Sequence, residues 1–232
     1  MKYLVEPVID VIIPALNEEG SIAKVLSDLP SSVREVIVCD NGSSDQTALV
    51  ARSNGAMVIS QPQRGYGNAC LKGIEYLNNK EVKPDIVVFL DADYSDHPDE
   101  LDLLVRPILE EGKDLVIGSR ALGKKEKGSM KPQQIFGNWF ATKLIRLLYD
   151  FRFTDLGPFR AIRYPALLSL FMSDRNFGWT VEMQVKAIKK NLACSEVPVS
   201  YRNRIGTSKV TGTLKGTILA GYKIIWTILK LL

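Results

Sequence analysis

Two carboxylates, Asp91 and Asp93, come directly after the apolar run 86–90. That run is rich in β-branched and aromatic residues, which is typical of a buried parallel strand. Side chains two residues apart in a strand share one side, so both carboxylates point the same way where the chain leaves the sheet. Two like charges this close are costly unless a cation neutralises them, and a hard divalent cation does so. The pair therefore predicts a metal ion that holds a diphosphate.

The elements that position this pair alternate along the first half of the chain. The pattern predicts strands at 8–13, 33–39, 57–60, 86–90 and 114–118, and helices at 19–29, 45–54, 66–77 and 98–111. This order predicts an α/β fold with an open, mostly parallel sheet and helices on both faces. Ligands of such sheets bind beyond the carboxyl ends of the strands. Polar segments follow three of the strands, at 17–19, 40–45 and 91–93, so we expect one ligand site there.

The second half of the chain has a different pattern. Residues 119–134 are basic and glycine-containing, as in a mobile loop. Further along, the pattern predicts helices at 136–149 and 180–191, strands at 156–163 and 193–199, and a terminal helix over about 213–232. We therefore expect one domain over residues 1–210 and an appended amphipathic helix at 211–232.

Charge is distributed unevenly. The net charge is only +4, yet residues 197–232 hold six basic residues and no acid, and residues 119–134 hold five against one acid. Such asymmetry indicates an anionic partner near the basic segments: nucleic acid, phosphate or a membrane surface. The three cysteines are few and scattered, which fits a reducing cytosol.

The turn between the second strand and its helix, Asp40-Asn-Gly-Ser-Ser-Asp45, has a permissive glycine and several residues that cap helices. A turn with a cap needs no further function. Asp40 differs, because a carboxylate at the strand end can accept hydrogen bonds from a base N–H or a ribose hydroxyl.

Taken together, these motifs resemble the family 2 glycosyltransferases, which have the Rossmann-like GT-A fold. The matching segments are 11–19, 40–45, 91–93 and 118–120. The chain looks most similar to the dolichyl-phosphate mannose and glucose synthase branch, over about residues 8–209. That branch transfers a hexose from a nucleotide diphosphate sugar to a polyprenyl phosphate, with inversion at the anomeric carbon.

The resemblance implies donor-binding roles for residues at the matching positions. Four residues of the first motif would border the nucleotide base: Pro14, Ala15, Asn17 and Glu19. Asp40 would read the base or ribose, while Asp91 and Asp93 would hold Mg²⁺ or Mn²⁺ on the diphosphate. Arg64 opens a glycine-containing helix start that suits either an anion or close backbone packing. Arg120 would lie near the sugar or the acceptor phosphate.

On the acceptor side, a basic loop near the C-terminus matches the same branch. Four of its residues are suited to clamp phosphates: Arg202, Arg204, Ser208 and Lys209. One departure is Ser95, which stands where many synthases have a metal-binding glutamine. Another is Glu182, which lacks the following aspartate of members that act on hydroxyls. A phosphate monoester is largely ionised near neutrality, so the missing aspartate favours a phosphate acceptor.

We also expect contact with a membrane surface. The terminal helix is too short and too charged to span a bilayer, and its lysines and apolar residues lie largely on different sides. The 136–149 helix has similar chemistry, although core packing is an alternative for each helix alone. The expected location is cytoplasmic, peripheral at the inner face of the membrane, with a nucleotide sugar and a lipid-linked phosphate as partners and no nucleic acid.

Three alternatives stay open at this point. The same fold can glycosylate a saccharide or lipid hydroxyl with Glu182 as the base. The chain can be a non-catalytic nucleotide-sugar binder, although both aspartates of the metal motif are intact. A nucleotidyltransferase would require a glycine-rich, lysine-containing N-terminal signature that the chain lacks.

Overall fold

A seven-stranded sheet forms the centre of the protein in the computed structural model, which describes residues 6–207 and 214–232. Its strands in chain order are β1 (Ile9–Ala15), β2 (Val33–Asp40), β3 (Met57–Ser60), β4 (Ile86–Phe89), β5 (Leu115–Ser119), β6 (Arg160–Arg163) and β7 (Cys194–Pro198). Their order across the sheet is β3-β2-β1-β4-β6-β5-β7. The predicted open sheet is confirmed.

Most neighbouring strands run parallel, as predicted. β1 lies between β2 and β4, β2 pairs with β3, and β5 pairs with β7, all in parallel. The exception is β6, which runs antiparallel between β4 and β5. Its residue Arg160 pairs with Phe89, two residues before Asp91, and thus lies at the functional end of β4.

Eight α-helices are present in the described residues: α1 (Ile22–Ser27), α2 (Thr47–Ser53), α3 (Tyr66–Asn79), α4 (Leu101–Glu110), α5 (Pro132–Tyr149), α6 (Tyr164–Ser169), α7 (Trp179–Lys189) and α8 (Leu214–Lys230). A short 3₁₀ turn, Pro98–Glu100, precedes α4. The pattern did not predict α6, whose six residues are too few for a helical period to emerge. α5 begins four residues before its predicted start, because Pro132 occupies the first turn, where proline is favoured.

The helices cover both faces of the sheet, which confirms the predicted layers. Alternate residues of β1 point to opposite faces: Ile12 joins the apolar cluster with α3 and α5–α8, whereas Val11 and Ile13 join the cluster with α1, α2 and α4. These side chains are completely buried. The two apolar layers hold the strand ends, and the loops that leave them, in place.

Helix α8 packs on α5 and α7. The Tyr149 hydroxyl at the end of α5 donates to the Ile228 carbonyl oxygen at 2.6 Å, and Lys223 forms an ion pair with Asp174 at 2.8 Å. In the described ranges, no helix has both the length and the apolar character needed to cross a membrane.

Candidate active site

A pocket of about 270 Å³ opens beyond the carboxyl ends of β1 and β4. Six of the residues that the sequence predicted line it: Pro14, Ala15, Arg64, Asp91, Asp93 and Arg204. Residues from six separate stretches of the chain meet here, because the parallel strands end at the same edge of the sheet. The pocket is the candidate site for a nucleotide diphosphate sugar, and we call it the donor pocket.

The metal motif lies in this pocket with both carboxylates held by hydrogen bonds. The Tyr66 hydroxyl donates to Asp91 Oδ1 at 3.0 Å. The backbone N–H and hydroxyl of Ser95 donate to Asp93 Oδ1 at 2.9 and 2.5 Å, and the Arg204 guanidinium lies 3.0 Å from Asp93 Oδ2. Ser95 thus orients Asp93, although its side chain is shorter than the glutamine of related motifs.

Asp91, Asp93 and Asp96 form an acidic cluster in which burial and mutual repulsion disfavour the charged carboxylates. Burial, and then repulsion from Asp93, raises the pKa of Asp91 to about 7. The pKa of Asp96 is also raised by burial and by the charges of Asp91 and Asp93, and among the described residues neither of its buried carboxylate oxygens has a hydrogen-bond partner. A divalent cation is the group that relieves this repulsion.

The donor set fits Mg²⁺ or Mn²⁺ when the metal is shared with a substrate. Within residues 6–207 and 214–232, no group of three or more His, Cys, Asp or Glu side chains is arranged to hold a metal ion. Mg²⁺ sites commonly use one or two carboxylates together with substrate phosphates and waters. Asp91 and Asp93 supply that protein share, and a diphosphate would supply further oxygens.

Three of the residues predicted to border the nucleotide, Asn17, Glu19 and Asp40, do not line the donor pocket. Asn17 Oδ1 accepts the Ser44 N–H at 2.8 Å, and Glu19 Oε2 accepts the Gln46 N–H at 2.8 Å. Asp40 Oδ1 accepts the N–H of Ser43 at 3.2 Å. The contacts of Asn17 and Glu19 fasten the loop after β1 to the turn after β2, and the contact of Asp40 closes that turn.

Their chain neighbours Glu18 and Asn41 line the pocket instead. Tyr66, which binds Asp91, is a further lining residue that the sequence did not single out, although it belongs to the glycine-containing helix start that Arg64 opens. Asn176 and Phe177 also line the pocket, and no sequence signal marks them. Their loop reaches the site by packing on Gly65, where any Cβ would collide with the Arg175 carbonyl oxygen.

Arg120 lies beside the donor pocket in a buried ion pair with Asp155. Its Nε and Nη2 donate to the two Asp155 oxygens at 2.8 and 2.6 Å, and its backbone N–H donates to Oδ2 at 2.7 Å. The Arg120 charge holds the pKa of Asp155 below its usual value despite burial, and it also acts to lower the pKa of Asp91. Arg120 therefore exerts its charge on both carboxylates.

Glu182 lies on α7 and does not line the donor pocket. Its carboxylate accepts hydrogen bonds from the backbone N–H and hydroxyl of Ser173 and from the Asp174 N–H at 2.8 Å, and it pairs with Lys186 at 2.7 Å. These contacts hold the loop that carries Asn176 and Phe177. The geometry therefore gives Glu182 a positioning contact with the pocket wall and does not place it as a base.

Both described arginines of the predicted acceptor clamp are engaged within the protein. Arg202 stacks on the Tyr94 ring, 3.4 Å from its centroid, and lies 3.6 Å from Asp28. Arg204 bridges Asp93 and Glu18, with a guanidinium nitrogen 3.0 Å from an oxygen of each. Arg204 is thus on the donor side of the site. Ser208 and Lys209 lie outside the described residues.

Comparisons with known proteins agree with this geometry. The family model for glycosyl transferase family 2 matches residues 10–171. An uncharacterized glycosyltransferase of Mycobacterium tuberculosis (strain ATCC 25618 / H37Rv) is 35% identical over 215 residues, which cover 91% of this chain and 94% of that protein. A dolichyl-phosphate hexose transferase of Haloferax volcanii is 29% identical over 86% of this chain and 85% of that protein.

Solved structures support the same fold. The crystal structure of glucosyl-3-phosphoglycerate synthase from Mycobacterium tuberculosis with Mn²⁺, uridine-diphosphate-glucose and phosphoglyceric acid has a TM-score of 0.76 and 26% identity. The match covers 97% of this chain and 79% of the other. The GT-A fold and the expected resemblance are both confirmed. The matched segment includes the strand ends, the metal motif and Arg120, and the chain therefore belongs to glycosyl transferase family 2.

Proposed function

We propose that this glycosyltransferase transfers a hexose from a UDP- or GDP-sugar to a polyprenyl phosphate. The observation that carries the proposal is the position of Asp91 and Asp93, which both line the donor pocket, Asp93 buried and Asp91 partly buried. These two residues would hold Mg²⁺ or Mn²⁺ against the donor diphosphate, and the metal would supply Lewis-acid stabilisation of the departing nucleotide diphosphate.

The chain's own residues have separate tasks in this mechanism. Tyr66 and Ser95 orient the two aspartates through the hydrogen bonds described above. Arg204 exchanges its contact with Asp93 for the donor diphosphate, where a planar guanidinium binds two phosphate oxygens. Arg120 places a positive charge near the sugar and the incoming acceptor. In-line attack of the acceptor at the anomeric carbon then inverts its configuration.

A phosphate acceptor is supported by the absence of an obvious base among the described pocket residues. Glu182, the earlier candidate, is occupied by Ser173, Asp174 and Lys186. A phosphate monoester has a second pKa of about 6, so it is already ionised near neutral pH and attacks without losing a proton. Relatives whose names refer to dolichyl phosphate, such as the one from Haloferax volcanii, support the same acceptor class.

We further propose that residues 1–210 form the catalytic domain and that 211–232 attach it to the inner face of a membrane from the cytoplasm. Helices α5 and α8 pack together and carry exposed aromatic side chains: Phe136, Trp139 and Phe140 on α5, and Tyr222 and Trp226 on α8. Aromatic residues favour the interface between lipid and water. Lys230, near the end of α8, adds positive charge for anionic lipids.

A transfer assay tests the proposal. The purified protein is incubated with Mn²⁺, a mixture of UDP- and GDP-hexoses, and one of three acceptors: a short polyprenyl phosphate, 3-phosphoglycerate or a free hexose. Mass spectrometry should detect a hexosyl polyprenyl phosphate that is absent when the metal is chelated. Product formed only on 3-phosphoglycerate or on a hydroxyl would refute the polyprenyl phosphate acceptor, and donor binding without any transfer would support a non-catalytic binder.

A further inference from the structure

A second cavity, of about 310 Å³, lies between α5, residues 121–130 and residues 152–155. It shares no lining residue with the donor pocket. Arg202 and Arg204, the two residues of the predicted acceptor clamp that the structure describes, do not line its wall. The cavity is therefore a separate recess, which we call the α5 cavity.

Four cationic side chains converge on the α5 cavity: Lys125, Lys143, Arg146 and Arg152. None of the four forms an ion pair with a carboxylate in the described part of the chain. Asp155 is the one acid in the lining, and Arg120 already neutralises it. The excess of positive charge makes this cavity complementary to an anion.

One wall of the α5 cavity is apolar and continues into exposed surface. Ile135 and Trp139 line it and are about half exposed, at 49% and 53%. The adjacent Phe136 ring lies tilted against Trp139 and stacked on Phe140, at ring-centroid distances of 5.8 and 6.3 Å. Exposed apolar surface of this kind beside a charged recess suits a ligand that is anionic at one end and apolar at the other.

Arg120 and Asp155 connect the α5 cavity with the donor pocket. Asp155 lines the α5 cavity, whereas the charge of its partner Arg120 reaches Asp91 in the donor pocket. Asp155 binds the Arg120 guanidinium through both carboxylate oxygens, so an anion in the α5 cavity would lie next to the residue that positions Arg120.

We propose that the α5 cavity binds the acceptor phosphate, with Lys143, Arg146 and Arg152 on the phosphate and the first units of the apolar chain along Ile135 and Trp139. The inference rests on the proposed function and adds the acceptor's position. It assigns phosphate binding to unpaired cations of α5 and its following loop, in place of Arg202 and Arg204, which bind protein carboxylates. It also favours a lipid phosphate over a small sugar-acid phosphate, because the small molecule has no apolar chain to pack against Ile135 and Trp139.

A binding experiment without donor or membrane tests this position. The full chain is labelled with 5-fluorotryptophan, and the ¹⁹F resonances of Trp139, Trp179 and Trp226 are assigned from single Trp→Phe variants. Farnesyl phosphate, kept below its micelle concentration, is the probe. It should shift the Trp139 resonance saturably, whereas buried Trp179 should not respond. A saturable shift confined to Trp226 would overturn the inference.

The decisive variant is Lys143→Glu/Arg146→Glu, which should weaken farnesyl phosphate binding at least tenfold. The matched control, Arg52→Glu/Lys113→Glu, makes the same change of charge away from both cavities and should bind like the wild type. Farnesol should bind at least tenfold more weakly than farnesyl phosphate, since it lacks the anion. Equal binding of the probe by the decisive variant and the wild type would refute the proposed site.

Two further titrations test whether the cavity prefers a lipid phosphate to a free phosphate, and whether a failed cavity assignment leaves the proposed donor site intact. If 3-phosphoglycerate or inorganic phosphate displaces farnesyl phosphate at equal concentration, the cavity does not select a lipid phosphate and the inference is wrong. Binding of UDP with Mn²⁺ is measured in the same samples. If the α5 substitutions change neither UDP binding nor farnesyl phosphate binding, only the cavity assignment is overturned. Loss of UDP binding in the Asp93→Asn variant would support the donor site independently.

Discussion

Arg204 joins Glu18 to Asp93: its Nη2 donates to Glu18 Oε1 and its Nη1 lies near Asp93 Oδ2, each at 3.0 Å. Its Nε is buried without a hydrogen-bond partner. The Arg204 guanidinium thus forms an ion pair with Asp93, one of the two carboxylates of the metal motif. A metal ion and Arg204 compete for Asp93 until a donor phosphate gives the arginine a new partner.

Replacing Arg204 with methionine should separate its competition with the metal for Asp93 from its contact with the donor diphosphate. Removal of the competing charge should strengthen Mn²⁺ binding in the absence of nucleotide. Loss of a charge-assisted contact with the diphosphate, of about 1.5 kcal/mol, should weaken UDP binding in the presence of Mn²⁺ about tenfold. Free Mn²⁺ is measured by electron paramagnetic resonance. Arg202→Met is the control, because Arg202 contacts Tyr94 and Asp28 rather than Asp93; weaker Mn²⁺ binding by Arg204→Met would contradict the competition.

The substitution Asp93→Asn should abolish sugar transfer, by roughly 100-fold or more, while the fold stays intact. An amide keeps an oxygen that can accept from Ser95 but loses the charge that holds the metal. Steady-state transfer and thermal unfolding are measured together. Asp99→Asn, on an exposed carboxylate nearby, should keep full activity. Transfer by Asp93→Asn at the wild-type rate would disprove the mechanism.

The Arg120–Asp155 pair should contribute strongly to stability. Asp155→Asn leaves Arg120 buried without its counter-charge, so the free energy of unfolding should fall by about 3–5 kcal/mol. In contrast, Glu110→Gln breaks an exposed pair with Arg106 and should cost at most about 0.5 kcal/mol. Urea unfolding monitored by circular dichroism measures both values. A loss below about 1 kcal/mol for Asp155→Asn would show that the pair does little for stability.

The same pair sets the direction of a pH dependence. The folded pKa of Asp155 is lowered from its ordinary value of 3.8, chiefly by Arg120, which outweighs burial. The stability that this shift contributes is therefore complete above the ordinary value and is lost as the pH falls through the folded pKa. The difference in unfolding free energy between wild type and Asp155→Asn should stay constant from neutral pH to about pH 5 and shrink below about pH 4.

Glu182→Gln distinguishes a base from a residue that positions a loop. A general base contributes about 100- to 10,000-fold to the rate, so its removal would lower kcat by that factor. Since Glu182 holds the loop of Asn176 and Phe177, we expect kcat to change less than tenfold, with the larger effect on KM for the donor. The matched variant Ser173→Ala removes one partner of Glu182 and should raise the same KM more weakly. A fall in kcat beyond 100-fold with KM unchanged would restore the catalytic role.

Contact with a membrane is tested by Trp226→Glu on α8. Trp226 is 50% exposed, so the substitution should spare the fold while placing a negative charge on the surface proposed to meet the lipid. Sedimentation with vesicles that contain phosphatidylglycerol should recover at least tenfold less of the variant. Leu49→Glu, at an exposed position of α2, is the control and should sediment like the wild type. Equal binding of both variants would argue against this surface.

Local patterns in the sequence were sufficient to predict the strands of the sheet and the central residues of the donor pocket. The strand β3 has the predicted bounds, and β1, β2, β4, β5 and β7 each differ from prediction by two residues or fewer at either end. Apolar runs and helical spacing depend on neighbouring residues, so they are readable without the fold. The carboxyl-end rule then placed Pro14, Asp91 and Asp93 in one pocket, because parallel strands end together.

Only the tertiary structure decided which side chains occupy the space between these strand ends. Asn17 and Asp40 belong to the right loops, but their side chains accept the backbone N–H groups of Ser44 and Ser43 in the turn after β2, and Glu182 binds Ser173 rather than facing the pocket. Arg204 reaches Asp93 across more than 100 residues of chain. Hydrogen-bond partners and charge neutralisation are settled by packing between distant segments. The sequence by itself therefore determined the family and the metal motif, while the folded chain decided the partners of each charged group.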